Sequence, residues 1–329
     1  MFCLTNVFRR YHNVLAYDHS RALITDPDDK DLYINANLVK SPGSGREYML
    51  TQGPLPTTVD DFWSMIFQYN SSVIVMLCSC VENNRSKSWQ YWPVEVGHTM
   101  VLGDVREGLE LEVTQTSVED LGHYMIRNFV LTDLVTGEKR KIKQLHYLDW
   151  PDFNVPKSPK LFLEFLHEFR ESGAFLESTG PPVGKEDEPA EIIQSYNYSW
   201  IVDSGHLFSF VSVHCSAGIG RSGTLILVDS VLLMASLGME INMRTVMETL
   251  LDMRTYRMGL IQTSDQLQFS VDAIIQGLKS LEVGNGAAAS PQQVQLNGKR
   301  LKERDSDDTD EEVGQSSQKT KKRKNSPTS

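Results

Sequence analysis

The chain has 329 residues, 40% of them hydrophobic and 23% charged, with a net charge of −11, enough apolar material for one large domain or two small ones. The acidic balance argues against nonspecific nucleic-acid binding, and no run of about 18 apolar residues offers a membrane anchor. Four cysteines (Cys3, Cys78, Cys80, Cys215) are too few for a disulfide framework and point to a reducing compartment; no signal peptide is legible, because Arg9-Arg10 follow the short apolar start rather than precede it.

In chain order, residues 32–39 read as a strand, 41–45 as a hairpin-type turn and 48–52 as the returning strand. Phe62, Trp63, Ile66 and Phe67 fall at helical spacing within residues 59–69. Residues 73–77 form a buried strand. The Cys78-x-Cys80 that follows reads as strand-end packing rather than metal ligation, since no second Cys or His pair has ligand spacing. Short strands are expected at 89–92, 100–102, 109–114, 124–131 and 139–147. Leu161, Phe162, Phe165, Leu166 and Phe169 make residues 158–172 an amphipathic helix, and further helices are expected at 224–237, 243–254 and 263–281. The pattern is α/β (α+β): one domain with a large twisted mixed sheet flanked by helices. From residue 283 onward the composition turns to Gly, Ala, Ser, Pro and Gln, then to an acidic run, then to Lys321-Lys322-Arg323-Lys324. Such a tail cannot bury enough apolar surface to order itself.

The chemistry concentrates in Val213-His214-Cys215-Ser216-Ala217-Gly218-Ile219-Gly220-Arg221-Ser222-Gly223. A β-branched run leads in, a loop of small residues follows, then a helical pattern begins. A helix N-terminus presents unpaired N–H groups to an anion, and Gly218 and Gly220 let the backbone fold its amides into an anion-binding nest. The same field favours the thiolate of Cys215, and the planar fork of Arg221 suits bidentate contact with a phosphoryl group. A lone cysteine between a strand and a helix is more often a buried small hydrophobe; the whole string is far more specific than Cys-x5-Arg alone.

This string resembles the signature loop of the protein tyrosine phosphatases. Other stretches carry the same resemblance across residues 9–281: Arg10-Tyr11, Tyr33-Ile34-Asn35-Ala36, Leu50-Thr51-Gln52-Gly53-Pro54, Phe62-Trp63, Gln90-Tyr91-Trp92-Pro93, Trp150-Pro151-Asp152-Phe153 and Gln262-Thr263-x-x-Gln266. The string over residues 254–263 is most similar to the T-cell and 1B-type subgroup of the non-receptor branch. The resemblance implies hydrolysis of protein phosphotyrosine through a phosphocysteine formed on Cys215, without a metal or cofactor, on receptor and cytoplasmic tyrosine kinases or their signalling substrates. Loop residues Ser216, Ala217, Gly218, Ile219 and Gly220 and the Arg221 side chain would hold the phosphate. Ser222 would hydrogen-bond the thiolate. His214 would orient the loop, and reads equally well as a satisfied core histidine. Asp152 would be the acid that protonates the phenolate and then the base for water, on a closing segment hinged near Trp150, with Phe153 over the substrate ring; outside this resemblance an Asp after Pro reads as a turn residue. Gln262 would position the water with support from Gln266, although both read otherwise as ordinary polar residues at a helix start. Tyr11 would wall a pocket deep enough for phosphotyrosine. Asn13 would bond the peptide backbone, while His12 weakens the expected preference for acidic residues beside the phosphotyrosine. Glu82 and Lys87 match a loop that contacts Arg221.

Two features depart from the family. Gly180-Pro181-Pro182-Val183 is separated from Val213-His214-Cys215 by residues 184–212, and removing that segment restores G-P-P-V-V-H-C in frame. Its first residues, Gly-Lys, and its last ones are encodable by splice signals, so we read it as a retained intron or a genuine insertion; cloning transcripts across the junction decides. The residues just before Val213 would then replace the family's own strand. The domain over 1–282 also begins without the helices that the family carries ahead of Arg10-Tyr11, which reads as an N-terminal truncation. These departures leave a second function open, a phosphotyrosine-binding pseudophosphatase. The tail over 283–329 has no hydrophobic anchor, and its basic cluster resembles a nuclear import signal, so nuclear import receptors, residence in nucleus and cytoplasm, and a monomer are expected.

Overall fold

The computed structural model describes residues 8–26, 30–103, 110–151, 154–175 and 210–284. The acid candidate Asp152, its neighbour Phe153, residues 184–209 of the additional segment, and the tail beyond residue 284 lie outside the described residues.

The chain first makes a short ribbon, β1 (Ile24–Thr25) and β2 (Asp31–Leu32). β3 (Ala36–Ser41) and β4 (Arg46–Thr51) then form the expected hairpin. The run over 32–39 is therefore not one strand. Asn35 leaves the ladder to donate to Val14 O at 2.8 Å, anchoring the segment before it. Helix α1 (Val59–Gln68) has Asp60 and Asp61 in its first turn, where the helix dipole favours them, and buries Phe62, Trp63 and Ile66. β5 (Val73–Met76) follows, fully buried. β6 (Val81–Glu82) and β7 (Arg85–Ser86) form a small ribbon that periodicity alone is too short to reveal.

Residues 89–92 make no strand. Their aromatic content serves another purpose: Tyr91 and Trp92 are buried, and Tyr91 O accepts from Trp63 Nε1 at 2.7 Å. β8 (Thr99–Leu102), β9 (Leu111–Asp120), β10 (Tyr124–Asp133) and β11 (Lys139–Tyr147) complete an antiparallel meander. Helix α2 (Pro159–Glu171) starts with proline, which loses no hydrogen bond in a first turn, and buries Phe162, Phe165, Leu166 and Phe169. After β12 (Val211–His214) come α3 (Gly220–Ser236), α4 (Met243–Tyr256) and α5 (Ser264–Gly284). A capping box between Asn242 and Thr245 starts α4. α3 begins four residues before the apolar periodicity does, because Gly220, Arg221, Ser222 and Gly223 form its first turn.

Eight strands make one mixed sheet in the order β3-β4-β12-β5-β11-β10-β9-β8; a large mixed sheet flanked by helices is what the sequence predicted, without the order. Apolar side chains cover both faces. On one, Leu50, Val73, Val75 and Val213 meet α2, α3 and α5; on the other, Met49, Ile74 and Met76 meet α1 and Tyr91. Buried Asp229 of α3 ties the layers together, accepting from Arg170 Nε of α2 at 2.6 Å and from Tyr48 Oη of β4 at 2.7 Å. No helix among the described residues is long and apolar enough to cross a membrane.

β12 sits between β4 and β5, parallel to both. Val211 and Ser212, the last described residues of the additional segment, pair with Tyr48 and Met49 on one side and with Val73 and Ile74 on the other. The segment's end thus supplies the strand, as expected. Ser212 fits imperfectly: its hydroxyl is buried between Met49 and Ile74 with no hydrogen-bond partner among the described residues. Joining Val183 to Val213 would put valine there. We expect Ser212→Val to stabilise the fold by about 1 kcal/mol, through relief of an unpaired buried hydroxyl. A chemical denaturation midpoint that does not rise would contradict this.

Candidate active site

β12 ends at His214, and the next five residues, from Cys215 to Ile219, turn the chain into the start of α3. The turn depends on Gly218, whose φ is +70°; a Cβ there would lie 2.0 Å from Thr51 O. Gly218 N–H donates to Cys215 Sγ at 3.2 Å. Cys215 is 4% exposed. Gly220 serves a second approach: a Cβ on it would fall 2.7 Å from Gln262 Oε1 and 3.0 Å from Gln266 Nε2. Both glutamines therefore stand directly over the loop.

Arg221 points from the first turn of α3 under the rim of the site. Nη1 and Nη2 each donate to one carboxylate oxygen of Glu82 at 2.7 Å, and Nη1 also donates to Leu77 O at 2.9 Å. Burial opposes the guanidinium's charge, but the Glu82 carboxylate outweighs it and leaves the pKa raised. Glu82 in turn accepts from Ser79 N–H at 2.9 Å. The β6–β7 ribbon is thus the device that aims Arg221. Arg221 Nη2 also reaches Pro151 O at 3.4 Å, so the residue before Asp152 lies against the arginine. Trp150 is buried beside Phe162 and Phe269, and its indole N–H donates to Asn154 O at 3.0 Å, across Asp152 and Phe153.

Tyr11 forms the opposite wall, its hydroxyl 2.9 Å from Ser216 Oγ. Arg10 fixes that wall, donating to Gly53 O, Pro54 O and Ser86 O at 3.0, 2.7 and 3.1 Å. Cys215, Ser216, Ala217, Arg221, Gln262, Gln266, Tyr11 and Asn13 all line one cleft of about 770 Å³. Gly218, Ile219, Gly220, His214 and Ser222 are not among its lining residues. Arg9, Arg10, Arg85, Lys87 and Arg221 line the cleft, and no Asp or Glu is among its described lining residues. In a chain of net charge −11, that is a local field for an anion.

Three residues differ in detail from the sequence reading or escaped it. Ser222 is fully buried, yet its hydroxyl has no partner among the described residues; the hydrogen bond to the Cys215 sulfur comes from Gly218. Arg257 was given no role, and it is the loop's foundation. It is fully buried, donates to Gly218 O at 2.8 Å, Ala217 O at 3.1 Å, Asn37 Oδ1 at 2.7 Å and Asn35 Oδ1 at 3.3 Å, and stays cationic at neutral pH although burial lowers its pKa to about 10. Ile261 sits at φ +61°, a left-handed conformation that costs a β-branched residue on the order of 1–3 kcal/mol. Two bonds hold it there: Ile261 N–H donates to Ile219 O at 3.0 Å, and Arg254 Nη2 donates to Ile261 O at 3.0 Å. The strain delivers the next residue, Gln262, whose N–H is accepted by Gln266 Oε1 at 2.9 Å.

His214 is a fully buried, hydrogen-bonded core histidine beside the loop. Burial pushes its pKa down to about 3, and burial together with the Arg127 charge pushes His146 down to about 4. Both are neutral in the folded chain, while an unfolded histidine titrates near 6.5. Below about pH 6.5 the unfolded state binds more protons, so the stability present above that pH is lost as pH falls. The expected loss is about 1.4 kcal/mol per pH unit for each histidine. Thermal melts between about pH 6.5 and 5, above most carboxylate titration, check this; a flat melting temperature would contradict it.

The site thus brings together a buried Cys215 thiol bonded by the Gly218 amide and an Arg221 guanidinium aimed by Glu82, in a cleft lined by cations. The chain belongs to the protein-tyrosine phosphatase family, whose model matches residues 6–276. It is 41% identical over 272 residues to tyrosine-protein phosphatase non-receptor type 61F of Drosophila melanogaster, covering 83% of this chain and 43% of that protein. It is 40% identical over 270 residues to tyrosine-protein phosphatase non-receptor type 2 of Mus musculus (82% and 57%), and 40% identical over 273 residues to the Homo sapiens protein of the same name (83% and 56%). These relatives bear out the non-receptor resemblance. The chain spans about half the length of the curated relatives it matches.

Proposed function

We propose that the chain hydrolyses phosphotyrosine in proteins. The observation that carries this is the convergence of Cys215, the Gly218 amide and the Glu82-aimed Arg221 in a cation-lined cleft walled by Tyr11. In the first step the Cys215 sulfur attacks phosphorus and the phosphorus–phenol oxygen bond breaks. The loop amides and Arg221 hold the non-bridging oxygens, and Asp152 gives its proton to the leaving phenolate. In the second step Gln262 positions a water, Asp152 takes its proton, and the phosphorus–sulfur bond breaks to release phosphate. Asp152 lies outside the described residues; the contact of Arg221 with Pro151 O and the placement of Gln262 over the loop support these roles. The relatives, named as tyrosine-protein phosphatases, give the pseudophosphatase reading no support.

Tyrosine kinases and their signalling targets are the substrates we propose, with the protein acting as a monomer in nucleus and cytoplasm and its basic tail read by import receptors. The test of the activity is turnover of a phosphotyrosine peptide by the purified chain beside the same peptide carrying phosphoserine. Equal rates on both would refute a pocket gauged by Tyr11.

A further inference from the structure

The ring of His214 sits beside the nucleophile, and the hydrogens around it can be counted. Nδ1 lies 3.3 Å from Cys215 O, and Nε2 lies 2.8 Å from Tyr91 Oη. A carbonyl only accepts, so the first contact is a hydrogen bond only when Nδ1 carries the proton. Nε2 must then accept from the Tyr91 hydroxyl. That hydroxyl has one proton and a second partner, Gln144 Nε2 at 2.7 Å, which only donates. Its own proton is therefore free for His214; the other acceptor in reach, Met76 Sδ at 3.9 Å, is a weak one.

The direction of this chain depends on which end of the Gln144 amide faces Tyr91. Arg127 decides it. Arg127 Nη1 donates to Gln144 Oε1 at 2.8 Å, and a guanidinium has nothing with which to accept, so the amide nitrogen must face the tyrosine. Arg127 is itself braced over the Trp92 ring at 4.8 Å. It also reaches His146 Nδ1 at 3.2 Å, and His146 Nε2 lies 2.9 Å from Cys78 O. The same counting applies there: Nε2 donates to the carbonyl and Nδ1 accepts from the arginine.

We propose that Arg127 is a positioning residue for the phosphatase reaction, setting through Gln144 and Tyr91 the Nδ1-protonated form of His214 that holds the first peptide of the catalytic loop. The proposal rests on the reading of Cys215 as nucleophile. With the tautomer reversed, a ring lone pair would face Cys215 O, and the repulsion between two acceptors would shift the peptide that carries the sulfur. Which ring nitrogen bears the proton is set by the bond that the other makes, and small displacements of a reacting group cost rate rather than binding.

The test combines nitrogen-15 NMR of the histidine rings with kinetics on a phosphotyrosine peptide. The wild-type chain is expected to show His214 protonated on Nδ1. Arg127→Met is expected to move protonation toward Nε2 and to lower kcat about tenfold with KM unchanged. Arg127→Lys keeps one donor for Gln144 Oε1 and is expected to restore most of both. Gln144→Leu breaks the relay at its next member, and should give the Arg127→Met phenotype even if that variant folds poorly. A drop in melting temperature with tautomer and kcat intact would make Arg127 a merely structural residue and overturn the proposal, as would an unchanged tautomer in Gln144→Leu. The NMR arm needs no turnover, so it gives its answer even if Cys215 proves not to be the nucleophile.

Discussion

Replacing Cys215 by serine is expected to lower kcat by a factor on the order of 10^6, the scale on which removal of an enzyme's nucleophile acts, while the affinity for a phosphotyrosine peptide persists. The substitution exchanges one atom. A serine hydroxyl is a far weaker nucleophile than a cysteine sulfur, so the attacking atom of the proposed reading is lost. The parts that the proposed reading assigns to substrate binding stay: the Arg221–Glu82 fork and the Tyr11–Ser216 contact do not involve the sulfur. Single-turnover kinetics and calorimetric titration separate the two effects. Residual turnover above about 1% would sink the assignment of Cys215, since a bystander thiol in the cleft would be dispensable in this way.

Arg257→Met is expected to destabilise the fold by about 3 kcal/mol or more and to lower kcat about 10²-fold. The side chain is fully buried, and four acceptors depend on it: the carbonyls of Ala217 and Gly218 and the amide oxygens of Asn35 and Asn37. Removing the donor strands these oxygens where water does not reach, and each stranded group costs about 1–3 kcal/mol before relaxation. Losing the desolvated charge itself returns part of that. Two of the four acceptors belong to the catalytic loop, so the stability effect and the rate effect share one cause. Arg257→Lys should rescue little, because one ammonium cannot span four acceptors held by a planar fork. An unchanged denaturation midpoint would show that the loop does not rest on this residue.

The parts of the site that are consecutive in the chain were legible in the sequence. Cys215 to Arg221 is one continuous stretch, a loop running into the first turn of α3, and its glycines state its geometry. Tyr11, Gln262 and Gln266, which line the cleft, were legible only through a resemblance, because nothing local to each says what it will face. Glu82 stood on the resemblance as well: a carboxylate in a two-residue strand looks like any solvated charge until Arg221, 139 residues later, lands on it. Arg257 escaped because its partners are neutral oxygens, two of them on Asn35 and Asn37 from the far side of the chain, and no charge pairing announces it. The aromatic run at 89–92 misled for the opposite reason. Its composition is that of a strand, but Tyr91 is spent as a plug against Trp63 and His214. The start of α3 at Gly220 ran against propensity, since two glycines and a serine in a first turn read as loop. Tertiary demand decided it: the nest and Arg221 require that turn to be helical.

The placement of β12 has a consequence for how the molecule is assembled. Its neighbours, β4 and β5, lie next to each other in sequence, yet the sheet holds them one strand apart until a segment from much later in the chain arrives to fill the space. Pairings between such distant segments form slowly. During that interval both flanking strands present open edges, the kind of template on which chains join one another. Cys215, the nucleophile in the proposed reading, rides on the piece that closes the sheet, so completion of the cleft and protection from aggregation should emerge in the same late step of folding.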